Sequence, residues 1–294
     1  MGEDAALAEP EGPLASIVVP AHNEEAVIAA NLGLLLASAG PGEFDVVVVP
    51  NGCVDRTADI ARQFPVRVVE TDVPGKSHAI GLGDELCHTF PRVYLDADVR
   101  LSAESVRRLV EVCRRPGVLA CAPTPRLDLD GVGRVVRRVH RVHDQLMAPT
   151  RALAGVGVYV LTAAGHARVF PMPTDVISDD GWVHASFATH ERIVASEAES
   201  TIRPARTVAA HLRRRLRVRR GNRQLAALGR AGTDGQLRLG SIVTLVTQRR
   251  VGPLDAGCYL MVLAVDRVLT RARRRQETLW ASDASSRVAA AARD

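Results

Sequence analysis

Two aspartates, Asp96 and Asp98, stand one residue apart at the end of an apolar run, in the segment VYLDADVR. Side chains at positions i and i+2 of a strand point to the same side, so this spacing would bring two carboxylates together. Their repulsion is costly unless a cation, a proton or hydrogen bonds compensate it. Mg²⁺ and Mn²⁺ are suitable cations, since one or two carboxylates commonly hold them against a diphosphate. The alternative is that both aspartates only cap the following loop or helix.

The elements that must position these aspartates alternate regularly along the N-terminal part of the chain. Strands are predicted at Ala15–Pro20, Phe44–Pro50, Val66–Thr71 and Arg92–Asp98. Each strand is a short run of mainly apolar, often β-branched residues, and each is followed by a helical pattern. Strands of this kind predict a mostly parallel sheet with helices on both faces, in an α/β fold.

Polar clusters follow the four predicted strands, in the segments PAHNE, NGCVD, GKS and DAD. In open parallel sheets, ligands bind beyond the carboxyl ends of the strands. All four clusters are therefore expected at one edge of the sheet. This convergence favours a metal site at Asp96 and Asp98 over a capping role.

The second half of the chain has a less regular pattern. Strands are expected in GVLACAP and VGVYVLT, and an extended segment in ERIVASEAESTIRP. Residues 131–147 predict an amphipathic helix, because their valines recur at helical spacing. A further helix is expected to begin at DDGWV, and the chain from Thr207 onward reads as helical and basic.

Composition limits the classes of function. The chain has 294 residues, 47% of them hydrophobic, and a net charge of +5, which fits a folded globular protein. Its five cysteines form no CxxC pair, and no secretory leader or membrane-spanning stretch is apparent, so we expect reduced thiols in the cytoplasm. No nucleic-acid partner is expected, because the arginine-rich segment 213–224 contains no aromatic residue for base stacking.

Four segments together resemble a known enzyme family. IVVPAHNEE, VVVVPNGCVDRTADIA, GKSHAIGLG and VYLDADV occur in the order and at the spacing of the inverting family 2 glycosyltransferases, which have the GT-A fold. The resemblance covers about residues 15–222. It implies a nucleotide-sugar donor, usually UDP-linked, a divalent metal (Mg²⁺ or Mn²⁺), and transfer of a hexosyl or N-acetylhexosaminyl group to an acceptor hydroxyl with inversion.

The resemblance also implies roles for individual residues. Asp98 would ligate the metal, and Asp96 would face the metal or the ribose. The chain's only lysine, Lys76, matches the family's G-K element near the donor. Pro50 stands where the family has an aspartate, which weakens the inference that the base is uracil. The donor-binding positions implied are Pro20, Ala21, His22, Glu24, Asn51, Asp55, Lys76, Asp96 and Ala97.

Two of these loop residues have purely structural alternatives. Asn23 is placed to cap the helix after the first loop, and Asp55 to cap the helix after the second.

Inverting transfer also needs a base to take the proton of the acceptor hydroxyl. In the segment SDDGWV, Asp180 aligns with the family's catalytic base and Asp179 with the acid before it. Both would also be stable at a helix N-terminus, so a capping role is compatible with catalysis. Arg219, Arg220 and Asn222 match an arginine-containing motif that would neutralise the leaving diphosphate, although a solvated basic face is the alternative.

These implications divide the chain into predicted regions. We expect a disordered N-terminus (1–13), a GT-A catalytic domain (14–225), a helical extension (226–281) and a disordered tail (282–294). Within the catalytic domain, residues 14–115 would bind the nucleotide sugar and 116–225 the acceptor.

The acceptor and two other functions stay open at this point. A lipid-linked cell-envelope glycan and a natural-product intermediate are both candidate acceptors. Peripheral membrane contact is expected from the apolar stretch near Tyr259, followed by RARRRQ. The alternatives to transfer are a nucleotidyltransferase that makes sugar nucleotides, and a non-catalytic relative that only binds them.

Overall fold

The structure is a computed structural model that describes residues 12–148, 151, 153–230 and 239–273. It contains one eight-stranded sheet in the order β3-β2-β1-β4-β7-β6-β8-β5. The strands are β1 (Ala15–Ala21), β2 (Phe44–Pro50), β3 (Arg67–Val68), β4 (Arg92–Leu95), β5 (Val99–Leu101), β6 (Ala120–Leu127), β7 (Val158–Leu161) and β8 (Arg192–Ile202).

Helices flank this sheet and extend beyond it. They are α1 (Ile28–Leu36), α2 (Thr57–Ala61), α3 (Lys76–Glu85), α4 (Ala103–Cys113), α5 (Arg134–Met147), α6 (Ala163–Val169), α7 (Asp179–Ala185), α8 (Val208–Ala227), α9 (Leu239–Thr247) and α10 (Pro253–Arg273). None of the helices in the described ranges is long and apolar enough to cross a membrane.

The predicted α/β fold with a mostly parallel sheet is confirmed. β1 pairs in parallel with β2 and β4, β2 with β3, and β6 with β8. β7 runs antiparallel between β4 and β6, and β5 runs antiparallel to β8. All seven residues of β1 are buried, because covering helices leave neither face of a central strand in water.

Two strand predictions need correction. The third strand pairs over two residues only, Arg67 and Val68, with an isolated bridge from Thr71 to Asn51. Asp96 and Asp98 lie on a turn between β4 and β5, not on a strand. The backbone N–H of Val99 donates to the carbonyl of Asp96 over 3.0 Å and closes this turn. The two carboxylates are therefore placed by a turn beyond the sheet edge and not by strand alternation.

The C-terminal helices form a second apolar cluster against α5. Val139, Val142 and Leu146 of α5 are buried together with Tyr259 and Val262 of α10. This is the apolar side that the valine spacing predicts for residues 131–147. The predicted boundaries near 225 and 281 stay predictions, and the predicted disordered ends lie outside the described residues except for positions 12 and 13.

Candidate active site

Four carboxylates and one lysine meet beyond the carboxyl ends of β1 and β4. Nζ of Lys76, the first residue of α3, lies 2.6 Å from Oδ1 of Asp96 and 2.9 Å from Oδ1 of Asp179. Asp98 and Asp180 are close enough to Asp96 to raise its pKa, and Asp180 also raises that of Asp179. The structure thus brings the two predicted metal ligands and the two candidate bases together beside the chain's only lysine. These four residues, Asp96, Asp98, Asp179 and Asp180, are called the acid cluster.

Mutual repulsion and burial shape the ionisation of this cluster. Burial raises the pKa of Asp96, and Asp98 raises it further, while Lys76 offsets part of the shift. Burial and the neighbouring carboxylates also raise the pKa of Asp179 to about 6, against the attraction of Lys76. Lys76 keeps its charge, because Asp179 and Asp96 raise its pKa although burial alone would lower it.

Asp179 and Asp180 are adjacent but have different surroundings. Asp179 is 3% exposed, and its Oδ2 has no hydrogen-bond partner within the described ranges. Asp180 is half-buried and accepts hydrogen bonds from the N–H of Gly155 (2.6 Å), the hydroxyl of Ser178 (2.7 Å) and the N–H of Gly181 (2.8 Å). Burial alone would raise the pKa of Asp180, but Lys76 and these donors lower it.

The donor set fits a hard divalent cation that is completed by a ligand. Asp98 is half-buried and has neither a hydrogen bond nor an ion pair with any described residue. In the same part of the chain, no group of three or more His, Cys, Asp or Glu residues could hold a metal by itself. Mg²⁺ and Mn²⁺ suit such a site, because one or two carboxylates with phosphate oxygens and water satisfy them.

The first and second loops are locked together by Asn51. Its side-chain amide donates to the carbonyl of Ala21 (2.8 Å), and its Oδ1 accepts from the N–H of Gly75 (3.1 Å). Nδ1 of His22 lies 2.6 Å from the carbonyl of Asn51. Asn51 therefore holds the end of β1 against the residue before Lys76.

Asn23 has a different role from the predicted helix cap. Its Oδ1 accepts from the N–H of Val54 over 2.9 Å, and α1 begins only at Ile28. The cap prediction is wrong, because a positive φ of 55° turns Asn23 toward the second loop.

Asp55 supports the start of α2. Its Oδ1 accepts from the backbone N–H (3.0 Å) and the hydroxyl (2.5 Å) of Thr57, and its Oδ2 accepts from the N–H of Glu25 (3.1 Å). Burial would raise the pKa of Asp55, but these donors lower it. Buried Glu24 is fixed nearby, since its N–H donates to Thr57. The structural alternative for Asp55 is present, and a donor contact stays a prediction.

The basic helix α8 packs on α7 and on the residues just before it, next to the acid cluster. A Cβ at buried Gly221 would lie 2.9 Å from Cβ of Ser178, so α8 packs directly on the residue before α7. Arg220 and Asn222 flank this contact. Arg219 is instead paired with Asp266 of α10, so a diphosphate contact would require that pair to change. The roles of all three stay predictions.

The sequence pattern did not predict a role for the loop before β7 or for Tyr159 within β7. Gly155 binds Asp180, and the carbonyl of Gly157 accepts from the N–H of Asp96 over 2.9 Å. Gly157 has φ of +65°, and a Cβ there would lie 2.6 Å from Val99. Tyr159 is buried, and its hydroxyl has no partner within the described residues. Two glycines within AGVG, directly before a strand, are the sequence feature that could have indicated this loop.

Comparison with known proteins assigns a family to this arrangement. The profile described as "Glycosyl transferase family 2" matches residues 16–165, slightly more than half of the chain. That range includes the first three polar loops and the turn with Asp96 and Asp98. No curated protein matches the chain.

Solved structures show the same fold. The chain superposes on the mannosyltransferase PcManGT from Pyrobaculum calidifontis, in complex with GDP-Man and Mn²⁺, with a TM-score of 0.60 and 18% identity over 92% of this chain and 77% of that one. Glucosyl-3-phosphoglycerate synthase from Mycobacterium tuberculosis, in complex with Mn²⁺, UDP and glucosyl-3-phosphoglycerate, gives a TM-score of 0.55 and 20% identity over 76% and 82%.

Proposed function

Since the chain belongs to glycosyl transferase family 2 and is a glycosyltransferase, we propose that it moves a sugar from a nucleoside diphosphate to an acceptor hydroxyl with inversion, assisted by a divalent metal. The acid cluster carries this proposal. Four carboxylates lie beyond the strand ends, and Lys76 supplies a single positive charge against them. Such a surplus of negative charge suits a divalent cation, which can in turn bind a diphosphate.

Asp98 and Asp96 are the proposed metal ligands, for Mg²⁺ or Mn²⁺. A bound metal would neutralise charge on the departing nucleoside diphosphate. Asp98 is available for this role because it makes no hydrogen bond or ion pair with a described residue. The carbonyl of Ala97 accepts from Nδ2 of Asn31 over 2.6 Å, which fixes the turn that carries both aspartates.

The proposed donor is a UDP-linked sugar held by the first two loops and Lys76. Hydrogen bonds among Ala21, His22 and Asn51 hold the first two loops together beside the acid cluster. Pro50, next to Asn51, replaces an aspartate of the family, so the nucleobase is the least constrained part of the donor. One neighbour was solved with GDP-Man and the other with UDP, so both classes belong in the test.

Asp180 is the proposed base. It is half-buried and can reach an acceptor. Among the described residues its Oδ2 accepts a hydrogen bond from Gly155, which leaves capacity for a proton. Asp179 has a pKa nearer neutrality, but it is buried and paired with Lys76. A base must first lie within hydrogen-bond distance of the acceptor hydroxyl, and its pKa matters only after that. Asp179 is therefore proposed to position Lys76.

The acceptor would bind over the region between Pro123 and Met172, with Arg219, Arg220 and Asn222 facing the diphosphate. We keep two acceptor classes, a lipid-linked glycan and a soluble natural-product intermediate. The neighbour solved with glucosyl-3-phosphoglycerate adds small phosphorylated acids to the compounds worth screening.

Calorimetric titration of the whole chain tests this proposal. UDP, GDP and their sugars would be titrated with Mn²⁺, with Mg²⁺ and then with chelator. We expect metal-dependent binding of one nucleotide class. If no nucleotide binds under any condition, the proposal is wrong.

A pair of variants locates the metal in the same titration. Asp98→Asn keeps the shape of the turn but removes one charge, and we expect metal-dependent donor affinity to fall by about a hundredfold or more. Asp72→Asn removes an exposed carboxylate from the neighbouring loop and should bind like the wild type. Equal loss in both variants would show a general charge effect instead of a ligand.

A further inference from the structure

Helix α10 has two apolar sides. Tyr259 and Val262 are buried against α5. The opposite side faces water, yet it is apolar as well: Leu254 is 63% exposed, Met261 53% and Val268 63%. Their spacing of seven residues places them along one face of the helix. Leu260 and Val265 widen this outer face, which is defined by Leu254, Leu260, Met261, Val265 and Val268.

The acidic residues of this region are turned away from the outer face. Asp255 and Asp266 are the only acids between positions 239 and 273. Asp255 pairs with Arg138 of α5, and buried Asp266 pairs with Arg215 and Arg219 of α8. The outer face therefore presents no carboxylate to solvent.

Arginines surround the same face. Arg267 is exposed between the apolar residues, and Arg249 and Arg250 are exposed just before α10. On neighbouring α9, Val243 is 63% exposed. The sequence continues with the basic run RARRRQ from position 271. Apolar side chains and positive charge thus occur together on and around the outer face, and the two acids of this region are already paired with arginines.

We propose that the outer face of α10 docks on the surface of an anionic lipid bilayer. A helix lying in the interface buries its apolar side chains at the acyl boundary, while arginines contact lipid phosphates. A nucleic acid would use the arginines but leave the apolar face in water. A two-fold dimer through this face would bring its own arginines together with no carboxylate to pair them. The lipid surface satisfies both properties at once.

Vesicle sedimentation of the whole chain tests the proposal. Phosphatidylcholine vesicles with and without phosphatidylglycerol are the probes. We expect binding to the anionic vesicles only, weakened by salt. The double variant Met261→Glu/Val268→Glu should bind at least about tenfold more weakly, because two apolar contacts are lost and two repelled charges gained. Arg267→Gln should weaken binding about fivefold.

Matched controls exclude a general change of charge. Ala30→Glu adds a carboxylate at an exposed position of α1, and Arg114→Gln removes an exposed arginine after α4. Both should bind vesicles like the wild type. Nucleotide titration of each variant shows that it is folded, and it tests the proposed function independently of lipid.

Three results would overturn the assignment. The first is no binding to anionic vesicles, and the second is undiminished binding by the double variant. The third is a wild-type dimer in sedimentation velocity that the double variant converts to monomer, which would assign the face to a second copy of the chain.

Discussion

Two groups of charged side chains lie at opposite ends of β4 and are built in opposite ways. At its start, Asp84 accepts from Arg92 (2.6 Å) and from the hydroxyl of Tyr94 (2.6 Å), and its other oxygen lies 2.8 Å from Nε2 of His166. Beyond its end, the acid cluster sets four carboxylates against Lys76. In the first group the carboxylate is balanced by a cation, whereas in the second group four carboxylates face one lysine.

This difference separates a structural network from a binding site. A matched buried pair is satisfied by the protein itself, and it needs no ligand. An unmatched cluster costs stability, and that cost is compensated when a cation and its ligand arrive. The Asp84 network should therefore control folding, whereas the acid cluster should control binding and transfer.

Asp180→Asn should give the largest functional effect. The amide keeps the shape of the side chain but cannot take a proton from the acceptor. We expect the rate of transfer to fall by about 10²- to 10⁴-fold, the usual contribution of a positioned base, with donor affinity unchanged. Product formation under single-turnover conditions and calorimetric donor titration measure the two quantities.

Asp179→Asn distinguishes the two candidate bases. It should alter donor affinity through Lys76 and reduce transfer less than Asp180→Asn does. Normal transfer by Asp180→Asn would disprove the base assignment.

The sequence predicts the frame of the site better than its contacts. The mainly apolar runs of β1 and β2 identify central parallel strands. Their carboxyl ends define the edge at which Asn51, Lys76 and Asp96 meet. The bridge from Lys76 to Asp179 joins residues far apart in the chain, and no local pattern encodes it.

The pairing of Arg219 with Asp266 cannot be predicted from the sequence for the same reason. Only the packing of α8 against α10 shows that this arginine already has a partner.

Asp84→Asn should have the largest effect on folding. It leaves Arg92 buried without its counter-charge, and breaking a buried pair in this way lowers the free energy of unfolding by about 3 kcal/mol or more. Urea denaturation measures the loss. The folded fraction should still bind donor normally. A loss of metal-dependent donor binding at unchanged stability would contradict the separation of the two groups.

The acid cluster should also give stability an unusual pH dependence. The pKa of Asp179 is raised from 3.8 to about 6 in the folded protein, so the folded state binds more protons than the unfolded chain between these values. This carboxyl therefore stabilises the fold at low pH, and the contribution is lost as pH rises through 6. It amounts to about 3 kcal/mol, at 1.36 kcal/mol per pKa unit.

Urea denaturation at pH 4.5 and pH 7 measures about 2 kcal/mol of this term, because the carboxyl of the unfolded chain is already mostly ionised at pH 4.5. Asp179→Asn should remove it, whereas Asp72→Asn, at an exposed position, should not. An identical pH dependence in the wild type and Asp179→Asn would show that Asp179 ionises normally.

The smallest expected effect tests whether Lys76 and the metal compensate the same charge. Lys76→Met removes the cation that contacts Asp96 and Asp179, so its fold should be less stable than the wild type at neutral pH without metal. Mn²⁺ at ten times its dissociation constant stabilises a folded protein by about 1.4 kcal/mol. Because the variant leaves more negative charge unmatched, we expect it to bind Mn²⁺ more tightly and to gain about 1 kcal/mol more than the wild type at equal Mn²⁺.

Arg92→Met is the matched control, since it also deletes a cation that is paired with a carboxylate, here Asp84 of α3. It should lose stability at least as strongly, but its gain from Mn²⁺ should equal that of the wild type, because Asp84 stands at the other end of the strand. If Lys76→Met gained no more from Mn²⁺ than Arg92→Met does, lysine and metal would act on separate charges. The acid cluster would then be a second structural network instead of a site that requires a cation.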